Sequence, residues 1–172
     1  MFREGDKLES YRMLGEALAR VRNKDWRLLV VGAGAAQSQV EGALAPLGPE
    51  RVAYLGALEP DALARCYEAS DLLVWPARRE AYGMALLEAQ AHGLPVVAGR
   101  EGGVAAVVAD GESGLLSAPG EAGAFADAVD SLLEDPARRA SMARAARQRV
   151  AEEQGIDKAA QRLDALLREV TA

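Results

Sequence analysis

Cysteine and histidine are nearly absent from this chain of 172 residues, which has one of each, Cys66 and His92. A single cysteine excludes an internal disulfide framework, and a structural zinc site needs four ligands, mostly of these two kinds. We therefore predict that the protein binds no metal ion. Cys66 and His92 then have structural roles, and His92 suits the last turn of a helix that Gly93 ends.

Basic charge and long apolar runs are also lacking. The formal net charge is −6, whereas a surface for nucleic acid or anionic lipid would need a basic face. We expect neither nucleic acid nor direct membrane contact. The sequence has no run of eighteen apolar residues, and its first residues are too polar for a signal peptide. These features predict a soluble protein of a reducing compartment, the cytoplasm.

Apolar residues make up half of the chain, which is enough for one domain with its own core. Short runs rich in Val and Leu alternate with helical patterns. This alternation predicts a parallel sheet covered on both faces, a doubly wound, Rossmann-like α/β domain. The predicted strands are 26–32, 52–55, 71–75, 94–98 and 114–116. The predicted helices are 8–22, 38–47, 60–69, 84–92 and 104–108, with three more that begin at Glu121, Pro136 and Ile156.

Both ends of the chain suggest attachment to something larger. Met1 and Phe2, followed at once by polar residues, look like the stub of a strand. Residues 156–172 add an amphipathic helix to a domain, residues 1–155, that is already well covered. We expect this helix to pack on the domain or toward a missing N-terminal domain. An independent small protein is the open alternative.

Two glutamates, Glu80 and Glu88, lie where a doubly wound sheet binds its ligands, beyond the carboxyl end of a strand. Seven residues separate them, with Gly83 in between. If a helix begins near Gly83, the rise per residue puts the two carboxylates about 10 Å apart. A shared-proton pair or a retaining glycosidase pair needs about 5 Å. The spacing instead suits one long ligand with hydroxyl groups at both ends and an anion between them.

The segment from Val52 to Leu116 resembles the donor-binding C-terminal domain of group 1 glycosyltransferases, which are retaining enzymes of GT-B architecture. An ordered series of motifs carries the resemblance. It comprises Tyr54-Leu55-Gly56, residues 69–76 (ASDLLVWP), Glu80, Gly83, residues 87–89 (LEA), residues 91–98 (AHGLPVVA), Gly102-Gly103 and residues 110–116 (DGESGLL).

The resemblance implies a nucleoside-diphosphate sugar as donor, such as a UDP-, GDP- or ADP-sugar, and no cofactor. Glu88 would bind the ribose hydroxyls, and Glu80 the hydroxyls of the transferred sugar. The backbone N–H groups of Gly83, Met84 and Ala85, at the start of a helix, would face the diphosphate.

Positive charge for the diphosphate would come from Arg3 and Lys7. Related sequences have four residues between this Arg and Lys and a glycine after the Lys. Here three residues separate the pair, and Leu8 follows Lys7. The resemblance therefore assigns Arg3 and Lys7 to the phosphates through a variant loop, and an ordinary solvated loop is the alternative.

Gly32 and Gly34 form the Gly-x-Gly turn that would lie near the nucleotide. A dinucleotide-binding fingerprint would need a third glycine at Gln37, so that interpretation fails. The open alternative is a tight turn between strand and helix without ligand contact. Leu58 would contact the base through its backbone, and Gly102-Gly103 would flank the sugar pocket.

Together these features imply transfer of a hexosyl group with retention of configuration and without a metal. The acceptor site would belong to the missing N-terminal domain, so we predict donor binding and no turnover by this chain alone. Two alternatives stay open: a non-catalytic nucleotide-binding module or regulatory subunit, and half of a GT-B sugar-nucleotide epimerase.

Overall fold

A computed structural model describes residues 2–153 and 155–171, in which helices alternate with strands. The strands are β1 (Leu28–Val31), β2 (Val52–Gly56), β3 (Leu73–Trp75), β4 (Val96–Gly99) and β5 (Gly114–Ser117). The helices are α1 (Asp6–Arg20), α2 (Gln37–Leu44), α3 (Pro60–Glu68), α4 (Met84–Ala91), α5 (Val104–Val107), α6 (Ala122–Leu133), α7 (Pro136–Glu153) and α8 (Ile156–Thr171). A 3₁₀ turn at Ala45–Leu47 follows α2. Every predicted element is present.

Local sequence signals explain where helices begin and end. Pro60 is in the first turn of α3, where its missing N–H costs no hydrogen bond. Pro136 opens α7, and the Asp135 carboxylate before it accepts the N–H of Arg138 at 2.9 Å. Gly93 follows α4 with a φ of 72°, the left-handed conformation in which glycine ends helices.

All strand pairs are parallel, and they form two separate ladders. β1 pairs with β2, and β3, β4 and β5 form the other ladder in that order. No strand of the described residues joins β1 to β3. The doubly wound α/β class is confirmed, but a gap between β1 and β3 divides the expected single sheet.

The core lies on both faces of β4, whose four residues are all buried. Val97 belongs to a cluster with α1 and α6, where Phe125 is fully buried. Val96 and Ala98 belong to a second cluster with α4, which contributes Leu86. Successive side chains of a strand point to opposite faces, so one apolar run serves both clusters.

A buried carboxylate fixes the connection between α1 and β1. Asp130, on α6, is 1% exposed and accepts the N–H of Arg22 at 3.1 and 2.9 Å and that of Asn23 at 3.0 Å. These bonds satisfy N–H groups just beyond α1 that would otherwise lack partners inside the fold.

Helix α8 carries exposed apolar side chains, with Leu163 and Leu166 each 59% exposed. Its packing on the domain or toward another domain stays a prediction, as does the boundary at residue 155. Across the described part of the chain, no helix combines the length and apolar character needed to cross a bilayer.

Candidate functional site

A cavity of about 1090 Å³ runs along β1 and β3 and includes the segments that follow the carboxyl ends of β1, β2 and β3. The structure brings nine of the twelve residues that the sequence placed at the site to its wall. They are Arg3, Lys7, Gly32, Leu58, Glu80, Gly83, Met84, Ala85 and Glu88. The other three, Gly34, Gly102 and Gly103, are not among the lining residues.

Glu80 is the centre of a polar cluster in the wall of this cavity. Lys7, in the first turn of α1, donates to Glu80 Oε2 at 2.5 Å. The indole N–H of Trp75, at the end of β3, donates to the same oxygen at 3.2 Å. The Lys7 ammonium also lies 5.1 Å from the centroid of the Trp75 ring, within the range of a cation–π contact.

These contacts set the protonation of Glu80. Burial by itself would raise the pKa of the carboxyl group. Lys7 opposes burial through its hydrogen bond and its charge, and the Trp75 N–H and the charge of Arg3 act in the same direction. The pKa of Glu80 is lowered overall, so near pH 7 the side chain is a carboxylate that accepts hydrogen bonds.

The loop that carries Glu80 is held in a strained conformation. Ala77 and Arg79 have φ values of 56° and 46°, which are uncommon for residues other than glycine. The Glu101 carboxylate forms an ion pair with Arg78 and accepts the N–H of Arg79 at 2.7 Å. Strain of this kind persists where surrounding contacts over-determine it, and Glu101 supplies such contacts.

Gly102 and Gly103 support the same loop from behind. A Cβ atom on Gly102 would lie 2.0 Å from the carbonyl oxygen of Glu80, and one on Gly103 would lie 2.5 Å from that of Ala81. The Gly103 N–H also donates to the Ala81 carbonyl at 3.1 Å. Neither glycine lines the cavity, so their place in the structure is backbone packing against the Glu80 loop.

Helix α4 directs its N-terminus at the cavity. It begins after Gly83, whose φ of 95° is left-handed, and no side chain caps it. The first N–H groups of an α-helix have no partner within the helix and carry partial positive charge. Because Gly83, Met84 and Ala85 line the cavity, this helix start offers hydrogen-bond donors to an anion there.

Glu88 lies one turn further along α4 and has a partner of its own. The Tyr67 hydroxyl donates to Glu88 Oε2 at 3.2 Å, and the Tyr67 ring stacks on His92 at a centroid distance of 5.6 Å. Burial and the charge of Glu88 raise the pKa of Tyr67, so the phenol keeps its proton. Glu80 and Glu88 thus have different partners, as two separate acceptor sites should. Their 10 Å separation stays a prediction.

The two glycines of the turn after β1, Gly32 and Gly34, have different surroundings. Gly32 lines the cavity. At Gly34, a Cβ atom would lie 2.2 Å from the carbonyl oxygen of Phe2, so close packing of two backbone segments accounts for the glycine. Nucleotide contact by Gly34 stays a prediction without support from the cavity lining.

Sequence reasoning assigned no site role to Trp75, Tyr67 or Glu101. The position of Trp75 at the carboxyl end of a predicted strand was a usable signal, because ligands bind at that edge. Tyr67 and Glu101 gave no such signal, since their partners come from other elements. Within residues 2–153 and 155–171, no group of three His, Cys, Asp or Glu side chains could hold a metal ion.

Comparison with known proteins identifies the family. Residues 7–149, most of the chain, match the family described as "Glycosyl transferases group 1". The chain belongs to the group 1 glycosyltransferases. The family predicted from the motif series is confirmed.

Relatives of this group 1 glycosyltransferase chain include the D-inositol 3-phosphate glycosyltransferase of Corynebacterium aurimucosum. It is 40% identical over 132 residues, which are 73% of this chain and 31% of the relative. Sucrose-phosphate synthase from Thermosynechococcus elongatus superposes with a TM-score of 0.84 at 30% identity, covering 96% of this chain and 43% of that one. Anabaena HepE, solved in complex with UDP-glucose, superposes with a TM-score of 0.78 at 26% identity, covering 91% and 44%.

This glycosyltransferase chain therefore spans about a third of the length of the curated relatives it matches and less than half of these solved structures.

Proposed function

We propose that this chain is the donor-binding half of a retaining glycosyltransferase that transfers a hexosyl group from a nucleoside-diphosphate sugar. The observation that carries the proposal is the shared cavity, in which two carboxylates with different partners flank an uncapped helix N-terminus. The complex of the relative HepE with UDP-glucose supports the donor class. The reaction would take place in the cytoplasm.

The nucleoside end of the donor would lie over α4 and the turn after β1. Glu88 can accept two hydroxyl hydrogen bonds from a ribose diol, and charge-assisted bonds of this kind contribute about 1.5–3 kcal/mol each. The Tyr67 hydroxyl orients that carboxylate. Leu58 and Gly32 line the same cavity and would contact the base and nucleoside.

The diphosphate would occupy the middle of the cavity. Gly83, Met84 and Ala85, at the start of α4, line this cavity together with Arg3 and Lys7, and their N–H groups and cationic side chains would contact the diphosphate. Charge that develops on the leaving diphosphate would be stabilised by these donors and cations, which are in place before the reaction. The scheme requires no metal ion from the protein.

Glu80 would hold the transferred sugar by its hydroxyl groups. Its pKa is lowered, so it accepts hydrogen bonds near neutral pH. Lys7 contacts Glu80 and also lines the cavity, so one cation would neutralise the sugar-binding carboxylate and approach the diphosphate. The acceptor and any further catalytic group would come from a second domain, so this chain alone would bind donor without turnover.

The test is calorimetric titration of the chain with UDP, GDP and ADP, repeated on Glu88→Gln. We expect one nucleotide to bind and Glu88→Gln to weaken it at least about tenfold, the loss of roughly 1.4 kcal/mol. Glu112→Gln is the matched control, because Glu112 is exposed and outside this cavity. Equal binding by wild type and Glu88→Gln, or no binding at all, would contradict the proposed site. Sugar transfer by this chain alone would contradict the need for a second domain.

A further inference from the structure

Glu101 does not line the cavity, yet it holds the loop that carries Glu80. Its side chain lies between β4 and α5 and is 13% exposed. The Oε1 atom forms an ion pair with the Arg78 guanidinium, and the Oε2 atom accepts the backbone N–H of Arg79 at 2.7 Å. Both oxygens of one mostly buried carboxylate are therefore bound to the two residues that precede Glu80.

The neighbouring amides of this loop are bonded as well. The N–H of Arg78 donates at 3.0 Å to the hydroxyl oxygen of Ser10, a buried residue of α1. The N–H of Glu80 donates to the Ala77 carbonyl at 3.1 Å, which closes a tight turn. Glu101 supplies the charged acceptor in this set, and hydrogen bonds to a charged acceptor are the stronger kind.

The loop depends on such contacts because two of its residues have a costly backbone conformation. Ala77 and Arg79 both have φ values in the left-handed region, which is unfavourable for residues with a Cβ atom. Glu101 bonds the amide of one of them, Arg79, directly. If Arg79 relaxed to a negative φ, the next peptide would turn, and the Glu80 side chain would point elsewhere.

The contacts of the Glu80 carboxylate are sensitive to such a movement. Lys7 and Trp75 donate to its Oε2 atom at 2.5 and 3.2 Å, from α1 and from the end of β3. A shift of about 1 Å at the loop would take this oxygen beyond hydrogen-bond distance of both donors. Because Glu101 itself is outside the cavity lining, it can act on a ligand there only through Glu80.

We propose that Glu101 is a positioning residue for the sugar part of the donor, because it holds the left-handed loop from which Glu80 meets the sugar hydroxyl groups. The effect on sugar binding rests on the proposed function, whereas the effect on Glu80 rests on the loop contacts alone. Loss of the Glu101 carboxylate weakens binding of a nucleoside-diphosphate sugar and spares the nucleoside diphosphate, since the ribose carboxylate, Glu88, takes its partner Tyr67 from α3.

The first measurement needs no ligand: NMR follows the titration of the Glu80 carboxyl group in the wild type, in Glu101→Gln and in the control Glu112→Gln. Glutamine has the size of glutamate, but its amide end has one acceptor, so one of the two donors loses its partner. Burial raises the pKa of Glu80, and Lys7 more than offsets burial. We expect this pKa to rise in Glu101→Gln alone, as the Lys7 contact lengthens. Arg78→Gln breaks the same ion pair from its more exposed side and should act in the same direction if Glu101→Gln does not fold.

Two double variants test whether strain at Arg79 is the cause. Glycine adopts a positive φ at little cost, whereas alanine does not. Arg79→Gly added to Glu101→Gln should therefore return the pKa of Glu80 to its wild-type value, and Arg79→Ala should not. Both changes remove the same exposed side chain and its ion pair with Asp6. An unchanged Glu80 titration in Glu101→Gln would overturn the proposal, and so would equal effects of glycine and alanine.

Calorimetry with UDP, GDP and ADP and with their glucose conjugates tests the sugar part. We expect Glu101→Gln to weaken binding of the conjugate about fivefold and that of the free nucleotide by less than about twofold. Equal losses would overturn the proposal, because Glu101 would then act on the whole fold. A wild-type chain that binds none of these ligands, or gains nothing from the glucose, would contradict the proposed function. The Glu80 titration would then still decide whether Glu101 positions that carboxylate.

Discussion

Lys7 and Glu80 lie 73 positions apart in the sequence, and their side chains form an ion pair of 2.5 Å in the wall of the cavity. The pair is partly buried, with side-chain exposures of 28% and 18%. Trp75 contacts both side chains of the pair: its indole N–H donates to Glu80, and its ring lies against the Lys7 ammonium. The loop after β3 and the first turn of α1 are thereby joined through side chains that the proposed function assigns to the donor.

The lowered pKa of Glu80 makes its contribution to stability depend on pH. A carboxyl group whose pKa is lower in the folded state stabilises the fold above its unfolded-state pKa, near 4.5, and loses that contribution as pH falls through the folded value. We expect Glu80→Gln to lower the free energy of unfolding at pH 7, with a smaller difference at pH 3. Urea unfolding at both pH values measures this. Glu112→Gln, at an exposed position, should show little difference at either pH, and a Glu80→Gln difference that grows toward acid would contradict the assignment.

Trp75→Phe should weaken binding of the sugar part of the donor and spare the nucleotide part. Phenylalanine keeps an aromatic ring beside Tyr11 and Lys7 but removes the N–H that Glu80 accepts. We expect affinity for the nucleoside-diphosphate sugar to fall about fivefold, the loss of roughly 1 kcal/mol.

Calorimetry with the nucleoside diphosphate and with its sugar conjugate separates the two parts. Trp26→Phe is the matched control: Trp26 also lines the cavity, but its indole N–H donates to the Asn23 carbonyl, before β1, and not to Glu80. Equal losses for the two ligands would show that Trp75 acts on the fold rather than on Glu80.

Gly83→Ala should destabilise the protein and disturb the start of α4. The residue has a φ of 95°, and a Cβ atom there would lie 2.8 Å from Leu86 Cδ1. We expect a loss of about 1–2 kcal/mol in the free energy of unfolding, because a left-handed conformation is costly for alanine. Binding of the nucleoside diphosphate should weaken as well.

Gly42→Ala is the opposite case within the same chain. Gly42 lies inside α2, and a Cβ atom there would meet nothing within 4 Å. Alanine at this position should stabilise the protein by about 0.5–1 kcal/mol, since glycine is unfavourable in a helix. Chemical denaturation measures the free energy of unfolding of both variants. A change in the same direction for Gly83→Ala and Gly42→Ala would contradict the role assigned to the Gly83 conformation.

Asp130→Ala should be among the more damaging substitutions outside the site. The change removes the acceptor for the N–H groups of Arg22 and Asn23. We expect a loss of about 2–3 kcal/mol in the free energy of unfolding, because these partly buried backbone donors would lose a charged acceptor. Asp127→Ala removes a neighbouring carboxylate whose pair with Arg22 is exposed, so its cost should stay below about 1 kcal/mol. Thermal or urea unfolding measures both variants, and similar losses of stability in Asp130→Ala and Asp127→Ala would contradict this account.

Features encoded in short stretches of sequence were predictable. The helices and strands follow from apolar periodicity together with Gly and Pro signals, and observed element ends differ from predicted ones by a few residues at most. The motif series around Glu80 and Glu88 indicated the family, because its spacing is fixed by one strand, one loop and one helix. The five proposed site residues of that series, Glu80, Gly83, Met84, Ala85 and Glu88, line one cavity for the same reason.

Features that depend on partners far apart in the chain were not predictable. Asp130 accepts hydrogen bonds from Arg22 and Asn23, which precede it by 108 and 107 positions, and no local pattern predicts such a contact. Tyr67 reaches Glu88, and Glu101 reaches Arg78, from neighbouring elements. Gly34, Gly102 and Gly103 were expected near the ligand, whereas contacts with the backbones of Phe2, Glu80 and Ala81 explain them.

The sequence by itself determined the α/β class, the order of its elements and the family, because these depend on periodicity and on motifs that act over one or two elements. Tertiary structure decided which groups meet: Lys7 with Glu80 and Trp75, and Tyr67 with Glu88. It also decided that the parallel strands stand in two ladders with a gap between β1 and β3. Strand pairing joins residues that are distant in the chain, so only the tertiary structure shows which strand edges are paired and which are not.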